Sequence, residues 1–400
     1  MNYIYNGLAS VFMTVEISKT RGQFVFSGFF IAHFACFGIV LPFLPLWMKS
    51  HGISDGDVGL ILSSAFISKV VFGLAVGTLA DATGHRKYWI LFLAITNLIG
   101  FWIFAQTDSF WPMLIVWFIV GPLQTSMIPM IDGLAITAAR RGFLNYGPAR
   151  LFGSIAFIVV SSIAGVYLAG KSIDHIPTLL MIFGGIVVIA VLPLPDLRPR
   201  QKAGRRIALF DVVKIPGLMG FVMAAALLQS SHGALYAIAT QHWANAGLSS
   251  DMIGFLWAEG VTAEVILFAF GAILLKKVGL RGLLWLAVIG GTIRWFTLGA
   301  TTDTVVLIIV QVLHAFTFAA THLSITNYIS RHVPDELTAS AQTFYDGLAM
   351  GILIGLFMTV SSWLYDTAVA GHVFWIMMGI SLTAGVVLVF TGKKARELGI

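Results

Sequence analysis

The sequence predicts an all-α membrane protein in which twelve transmembrane helices form two pseudo-symmetric six-helix bundles. Three observations predict it: a strongly apolar composition, twelve apolar runs of spanning length, and an internal repeat. Of the 400 residues, 58% are hydrophobic and 10% are charged, and the mean hydropathy is +0.91. Soluble domains carry about a quarter charged residues, so this composition excludes that class. The single cysteine, Cys36, excludes a disulfide framework within one chain.

Twelve apolar runs are long enough to cross a bilayer, for which a helix needs roughly 20 apolar residues. They cover residues 23–48, 57–80, 88–106, 111–138, 147–169, 177–194, 215–243, 251–275, 282–301, 304–330, 337–365 and 372–391. The runs lack the strict alternation of barrel strands, so helices are predicted. The predicted organisation is a leader at 1–22, a first bundle at 23–194, a linker at 195–214, a second bundle at 215–391 and a tail at 392–400.

Basic residues are distributed unequally between the two sides of these spans. Only Lys49 and Lys171 fall on one side, three basic residues lie inside apolar runs, and the other 19 of the 24 fall on the opposite side. Because cytoplasmic loops carry an excess of Lys and Arg, both termini are predicted to be cytoplasmic, in a bacterial-type inner membrane. Lys19 and Arg21 follow the weakly apolar start, which is not typical of a signal peptide. Topology thus accounts for the net charge of +6, and no nucleic-acid partner is expected.

The two halves of the sequence align when 195 is added to the residue number. This places Gly52, Ser54, Gly59, Lys69, Leu79, Gly84 and Arg86 on Gly247, Ser249, Gly254, Glu264, Leu274, Gly279 and Arg281. A chain duplicated as six spans plus six in the same orientation gives two bundles related by an axis along the membrane normal. This architecture favours a central substrate site between the bundles, opened alternately to each side.

The turn after the second span, residues 77–87, has the sequence Gly-Thr-Leu-Ala-Asp-Ala-Thr-Gly-His-Arg-Lys. Gly77 is predicted to allow close helix approach and Gly84 to permit a tight turn. Asp81 can accept a hydrogen bond from a helix N-terminus or from Arg86. We expect this gating loop to hold the cytoplasmic side closed in one state. It resembles the loop signature of the major facilitator superfamily, which implies the twelve-helix fold and a transport function.

Seven ionisable residues fall within the spans, where each costs about 2.5–3.5 kcal/mol unless it is paired or wetted. They are Lys69, Asp132, Arg150, Glu259, Glu264, Arg294 and Asp346, joined by the histidines His33, His232, His314 and His322. Ion pairs between helices that only fix packing are the alternative explanation, but packing does not need so many costly groups. We expect Glu259 to be wetted from outside and His33 to be a hydrogen-bonded packing residue.

Six further segments resemble the phenylpropionate permease family, which is related to the oligosaccharide–proton and nucleoside–proton symporters. They are residues 129–133, 145–154, 228–236, 261–269, 294–302 and 311–322. The resemblance implies that Asp132 and Arg150 lie at the substrate. It implies substrate binding and proton coupling for Glu264, Arg294 and His322, and it matches Lys69, His232 and His314 to basic or polar positions of the family pattern.

Asp346 departs from that pattern, in which a small polar residue stands at this position. It is interpreted either as an extra coupling carboxylate or as a partner for Arg294. The predicted substrate-binding residues are therefore Asp132, Arg150, His232, Arg294, His314, Lys69 and Tyr236, and the predicted proton-coupling residues are Glu264, His322 and Asp346. Aromatic side chains near them, among them Trp257, Trp295 and Phe318, can stack on a ring or cover apolar surface.

These observations predict a monomeric secondary transporter that takes up an aromatic carboxylate of the 3-phenylpropionate type together with protons. Symport of a sugar or nucleoside, efflux of hydrophobic compounds, and a sensor without transport remain alternatives. The sequence contains neither a Walker-type loop nor a His-Glu-x-x-His spacing, so ATP-driven transport and metal-dependent catalysis are not predicted. No enzyme activity, cofactor or metal is expected, and the partners are the small-molecule substrate, protons and the lipid bilayer.

Overall fold

The computed structural model describes residues 17–197, 209–367 and 370–397. Most of the predicted leader and linker, and the last residues of the tail, lie outside these ranges. The first bundle contains α1 (Lys19–Ser50), α2 (Asp55–Thr83), α3 (Arg86–Phe104), α4 (Phe110–Arg140), α5 (Tyr146–Leu168) and α6 (His175–Val191). The turn after α2 is tight because Gly84 ends that helix with a φ of 72°, which a residue with a side chain rarely adopts.

The second bundle follows a short helix, α7 (Leu209–Val213), and several of its spans are interrupted. Its helices are α8 (Leu218–Ser230), α9 (Gly233–Asn245), α10 (Ser250–Ala269), α11 (Gly271–Ala300), α12 (Thr304–Gln311), α13 (Thr321–His332), α14 (Asp335–Gly347), α15 (Ile354–Thr367) and α16 (Val373–Glu397). Two π-helical segments, Ala315–Ala320 and Leu348–Leu353, join α12 to α13 and α14 to α15. A two-residue break separates α8 from α9, and the pairs α8–α9, α12–α13 and α14–α15 each form one span.

Within the residues that the structure describes, these helices make twelve spans. Ten helical segments within the described ranges are long and apolar enough to cross a membrane, and α6 is a shorter apolar helix. The remaining span is the part of α11 after Gly279, where the helix is kinked by a backbone φ of 71°. The eighth span was predicted to run to residue 275, but α10 ends at Ala269 and the first turns of α11 continue it.

The two bundles meet through α5 against α10 and through α2 against α15. A Cβ atom on Gly59 would overlap the side chain of Ser362, and one on Gly254 would overlap the carbonyl oxygen of Ser161. The internal repeat aligns these two glycines with each other. The repeat therefore marks a pair of close, symmetry-related approaches between the bundles.

Polar contacts hold the bundles together at the same end of the molecule. Asp366, at the end of α15, accepts hydrogen bonds from Ser54 Oγ at 2.7 Å and from the backbone N–H of Gly56 at 3.0 Å. Asp55 pairs with Lys49 at 2.9 Å and accepts from Asn245 Nδ2 at 2.7 Å. We call this end, where α1, α9 and α15 end and α2 begins, the closed end.

The opposite end, which we call the open end, presents polar groups to the surface. Gln342, Thr343 and Asp346 of α14 are exposed although they lie within the predicted span 337–365. The close helix approach predicted at Gly77 is absent, because a Cβ atom there would meet nothing within 4 Å. An exposed polar face in an apolar span and an uncrowded glycine are both expected where the bundles are separated.

Candidate functional site

A cavity of about 230 Å³ lies between the two bundles. Helices α1, α4 and α5 form one wall, and α9, α10, α11 and the tenth span form the other. Its polar lining consists of Arg150, Ser154, Tyr236, Glu264, Arg294, Gln311 and His314, and its aromatic lining of Phe34, Phe37, Phe157, Trp257 and Phe318. The volume and the mixed lining suit a small organic molecule with one or two polar groups.

Arg294 is the centre of a hydrogen-bond network in the second bundle, and its side chain is fully buried. Its Nη2 donates to Gln311 Oε1 at 2.7 Å, and its Nη1 donates to His314 Nδ1 at 2.8 Å and to Thr317 Oγ1 at 3.1 Å. His314 Nε2 in turn lies 2.6 Å from Glu264 Oε1. Because a guanidinium only donates, Nδ1 of His314 must be an acceptor, so Nε2 carries the imidazole proton and donates it to Glu264.

The same network continues to His232. Its Nδ1 lies 2.9 Å from the carbonyl oxygen of Gln229, and its Nε2 lies 3.0 Å from Thr317 Oγ1. A carbonyl only accepts, so in neutral His232 the proton is on Nδ1 and Nε2 accepts from the Thr317 hydroxyl. Thr317 thus links Arg294 to His232. The same hydrogen-bond network includes His314 and Glu264.

Two residues of this hydrogen-bond network, His232 and Thr317, lie where the helices are irregular. His232 lies in the break between α8 and α9, and Thr317 lies in the π-helical segment Ala315–Ala320. Trp295 Nε1 donates to Ser231 Oγ at 3.1 Å, which holds the break against α11. π-helical segments and broken membrane helices are frequent at binding sites because they free backbone positions and redirect side chains.

Arg150 belongs to the first bundle and is bound less completely. Its Nε lies 4.0 Å from Asp132 Oδ1, which also accepts a hydrogen bond from the Tyr146 hydroxyl at 3.0 Å. The guanidinium lies over the Phe34 ring, with Cζ 4.2 Å from the ring centroid. Its terminal nitrogens have no hydrogen-bond partner among the described residues. The guanidinium of Arg150 is held by the Phe34 ring and keeps free N–H donors, so it can bind an anion in the cavity.

Lys69 pairs with Asp346 across the two bundles, with Nζ 3.4 Å from Oδ2. The interpretation of Asp346 as a partner for Arg294 is therefore wrong: the partners of Arg294 are Gln311, His314 and Thr317. Asp346 remains 58% exposed, whereas Lys69 is 21% exposed. Neither residue lines the central cavity, so the pair lies towards the open end.

The two histidines of the tenth span differ in position. His314, predicted to bind substrate, is the histidine that contacts Glu264. His322, predicted to couple protons, has an exposed side chain and makes ring contacts with Phe268 and Phe318. Tyr236 lines the cavity as predicted for a substrate-binding residue, and it stacks between Phe66 and Trp257 at centroid distances of 6.2 and 6.1 Å.

Within the gating loop, Arg86 lies against α4, so that a Cβ atom on Gly133 would meet its guanidinium. The side chain of Asp81 lies outside those that the structure describes. His85 Nδ1 pairs with Asp196 at 2.6 Å, which ties the loop to the end of the first bundle.

The structure also bears on the expectations for His33 and Glu259. The imidazole of His33 is buried against Phe29 and Phe37, and neither of its nitrogens has a hydrogen-bond partner among the described residues, so the predicted hydrogen bond is absent. Glu259, expected to be wetted, is half-buried, and its Oε2 has no partner in the described part of the chain. No group of three or more His, Cys, Asp or Glu that could hold a metal occurs within that part.

Neutral polar residues at the site were missed in the sequence, namely the hydrogen-bond partners Tyr146, Gln311 and Thr317 and the cavity-lining Ser154. They carry no charge, so a search for costly ionisable residues passes over them. Tyr146 and Ser154 do lie in the motif around Arg150, and Gln311 and Thr317 lie in the motif around His314. These two motifs are the sequence signal from which the four neutral residues could have been identified.

Comparison with known proteins places the chain among transporters. A model of the MFS_1 like family matches residues 24–376. The Probable 3-phenylpropionic acid transporter of Escherichia coli (strain K12) is 30% identical over 366 residues, which are 89% of this chain and 94% of that protein. The lactose permease of Citrobacter freundii is 23% identical over 81% of this chain and 82% of its own. The crystal structure of the nucleoside transporter NupG, 16% identical, matches with a TM-score of 0.80 over 93% of this chain and 99% of that chain.

Proposed function

Since the chain belongs to the MFS_1 like family of major facilitator transporters, we propose that it is a proton-coupled symporter for an aromatic carboxylate of the 3-phenylpropionate type. The family membership makes it an integral membrane transporter and not an enzyme. The choice of substrate and of protons as the coupling ion is our proposal.

One observation carries the choice of an anionic substrate, namely the state of Arg150. Of the three intramembrane cations among the described residues, Arg294 makes four hydrogen bonds to Gln311, His314 and Thr317, and Lys69 is paired with Asp346. Arg150 lines the cavity, and neither of its terminal nitrogens has a hydrogen-bond partner among the described residues. A planar guanidinium binds a carboxylate through two parallel hydrogen bonds, and the aromatic lining of the same cavity matches a substrate ring.

We propose that the coupling proton binds Glu264. As long as Arg294 donates to Nδ1 of His314, that imidazole has no free nitrogen for a further proton, whereas Glu264 keeps a free oxygen. Protonation removes the charge of Glu264 and weakens its attraction to His314 and Arg294. A change in the contacts of these helices upon protonation would couple proton binding to the opening of the cavity.

The orientation follows from the distribution of basic residues. Lys49 and Lys171, the two basic residues of the sparsely charged side, belong to the closed end, which we therefore assign to the outside. The open end, with Asp346 and the gating loop, then faces the cytoplasm. In this assignment the structure is the inward-facing state, from which substrate and proton leave.

Symport of a sugar or nucleoside is the second candidate, favoured by the likeness to lactose permease and NupG. Hydroxyl groups would bond to Asp132, Arg150 and Glu264 without needing a charge. The predominantly apolar lining of the cavity argues against it, because a sugar requires several hydrogen-bonding partners.

Direct binding tests the proposal. Purified protein is titrated with 3-phenylpropionate, lactose and uridine at two pH values. We expect the acid to bind, more tightly at the lower pH, and Arg150→Gln to weaken it by about ten- to a hundredfold, the effect of losing hydrogen bonds to a charged group. Arg140→Gln, at the exposed end of α4, is the matched control. Binding of lactose or uridine alone would replace the proposal by the second candidate.

A further inference from the structure

The carboxylate of Glu264 has one oxygen in use and one oxygen free. Oε1 accepts the His314 Nε2–H at 2.6 Å, and Oε2 has no hydrogen-bond partner among the described residues. The side chain lines the cavity and is 15% exposed. This free oxygen is a polar group that any molecule filling the cavity must either satisfy or cover.

The opposite wall of the cavity presents donors. The terminal nitrogens of Arg150 are free, and Ser154, one helical turn further along α5, lines the same cavity with a hydroxyl that also has no partner in the described part of the chain. Arg150 and Ser154 belong to the first bundle, and Glu264 belongs to the second. The cavity thus offers donors on one bundle and a free carboxyl oxygen on the other.

The lining between these polar groups is aromatic and aliphatic, with Phe37, Phe157 and Trp257 among its members. An unsubstituted aromatic acid would place its carboxylate on Arg150 and its ring against these side chains. Its ring edge would then cover Glu264 Oε2 and leave that oxygen without a hydrogen bond. Leaving a buried polar group unpaired is unfavourable, and more so when it is charged.

We propose that the substrate is an aromatic carboxylate that carries a hydroxyl group on its ring. The carboxylate binds Arg150 and Ser154, and the ring hydroxyl hydrogen-bonds to Glu264 Oε2. A hydroxyl donates to the ionised carboxylate and accepts from the protonated one, so it fits both forms of Glu264. This inference rests on the proposed function, since it assigns the two ends of the proposed aromatic acid to the two bundles.

The test compares the affinity of the purified protein for 3-phenylpropionate with that for its 2-, 3- and 4-hydroxyphenyl derivatives. At least one hydroxylated isomer should bind about tenfold more tightly than the parent acid, the effect of one hydrogen bond to a buried charged group. Glu264→Ala should remove this preference, and Glu264→Gln, which keeps an N–H donor for the hydroxyl but loses the charge, should retain part of it. Ser154→Ala should weaken all four acids by a similar factor and leave their ratio unchanged.

The outcomes separate this inference from the proposed function. If the parent acid binds and no hydroxylated isomer binds more tightly to the unaltered protein, the hydroxyl assignment is overturned and the aromatic-acid symporter stands. If none of the four acids binds and lactose or uridine does, both are overturned. A preference that survives Glu264→Ala would place the hydroxyl elsewhere and also contradict the inference. The comparison with unaltered protein needs no variant to fold.

Discussion

Nε2 of His314 lies 2.6 Å from Oε1 of Glu264, while Nδ1 of the same ring accepts a hydrogen bond from Arg294. The imidazole is therefore held from both sides, and its tautomer is determined by its neighbours. A ring in this position connects Glu264 to Arg294 and has no free nitrogen for a further proton. This supports our proposal that the coupling proton binds the carboxylate of Glu264.

Replacement of Glu264 by Gln is therefore expected to abolish accumulation of substrate driven by a pH gradient. Gln keeps the size and the hydrogen bond to His314 but cannot release a proton. Counterflow, which exchanges substrate without net proton movement, should be spared. Both activities are measured with labelled substrate in proteoliposomes.

The matched control for that experiment is Glu259→Gln, five residues earlier on the same helix and outside the cavity lining. It should leave both activities near those of the unaltered protein. Gradient-driven accumulation by Glu264→Gln would exclude this carboxylate as the coupling site.

A substitution at Arg294 is expected to destabilise the protein as well as inactivate it. Its side chain is fully buried and binds Gln311, His314 and Thr317. Arg294→Met leaves those partners and Glu264 without their cation, and breaking a buried charged network costs about 3–5 kcal/mol. The Tm in detergent should fall by several degrees, compared with little change for Lys277→Gln, an exposed position on the same helix. An unchanged Tm would show that the network does not contribute to stability.

The sequence predicted the spans and the charged residues because both leave a strong compositional signal. Apolar length indicates a membrane helix, and a charge inside such a run is costly enough to demand a partner. The internal repeat added more, since Gly59 and Gly254 prove to be positions of close approach between the bundles at the closed end.

The breaks in the helices could not be predicted in the same way. The break at Ser231 and His232 falls inside the predicted span 215–243 and no proline marks it, and no proline marks the π-helical segments Ala315–Ala320 and Leu348–Leu353 either. Their geometry depends on packing against other spans. For the same reason the sequence did not show that Glu264 contacts His314 instead of His322, because the direction of both side chains follows from that packing.

The ion pair between Lys69 and Asp346 should contribute little to stability. Asp346 is 58% exposed, and an ion pair in a wetted position is worth about 0–1 kcal/mol. We expect Asp346→Asn to shift the Tm far less than Arg294→Met does. A double-mutant cycle with Lys69→Gln measures the interaction directly. A coupling energy of several kcal/mol would mean that the pair is shielded from water in the folded protein.

The close approaches at Gly59 and Gly254 should be required for the state seen here. A larger side chain at either position cannot fit against Ser362 or Ser161, so it would force the bundles apart at the closed end. Gly254→Leu is therefore expected to shift the population towards a state that is open at that end. In the proposed orientation this is the outward-facing state.

Cysteine accessibility measures this shift, because Cys36 is the only cysteine of the sequence and can be replaced by Ser. A reporter, Leu41→Cys, is placed on the part of α1 that lines the cavity towards the closed end. Labelling by a membrane-impermeant maleimide from outside intact cells should rise several-fold when Gly254→Leu is added. Gly185→Leu, at a glycine of α6 with open space around it, is the matched control and should change nothing. Equal labelling of the Gly254→Leu and Gly185→Leu variants would mean that close packing at Gly254 does not decide which end is closed. A rise limited to Gly254→Leu would show that this glycine helps to keep the closed end shut.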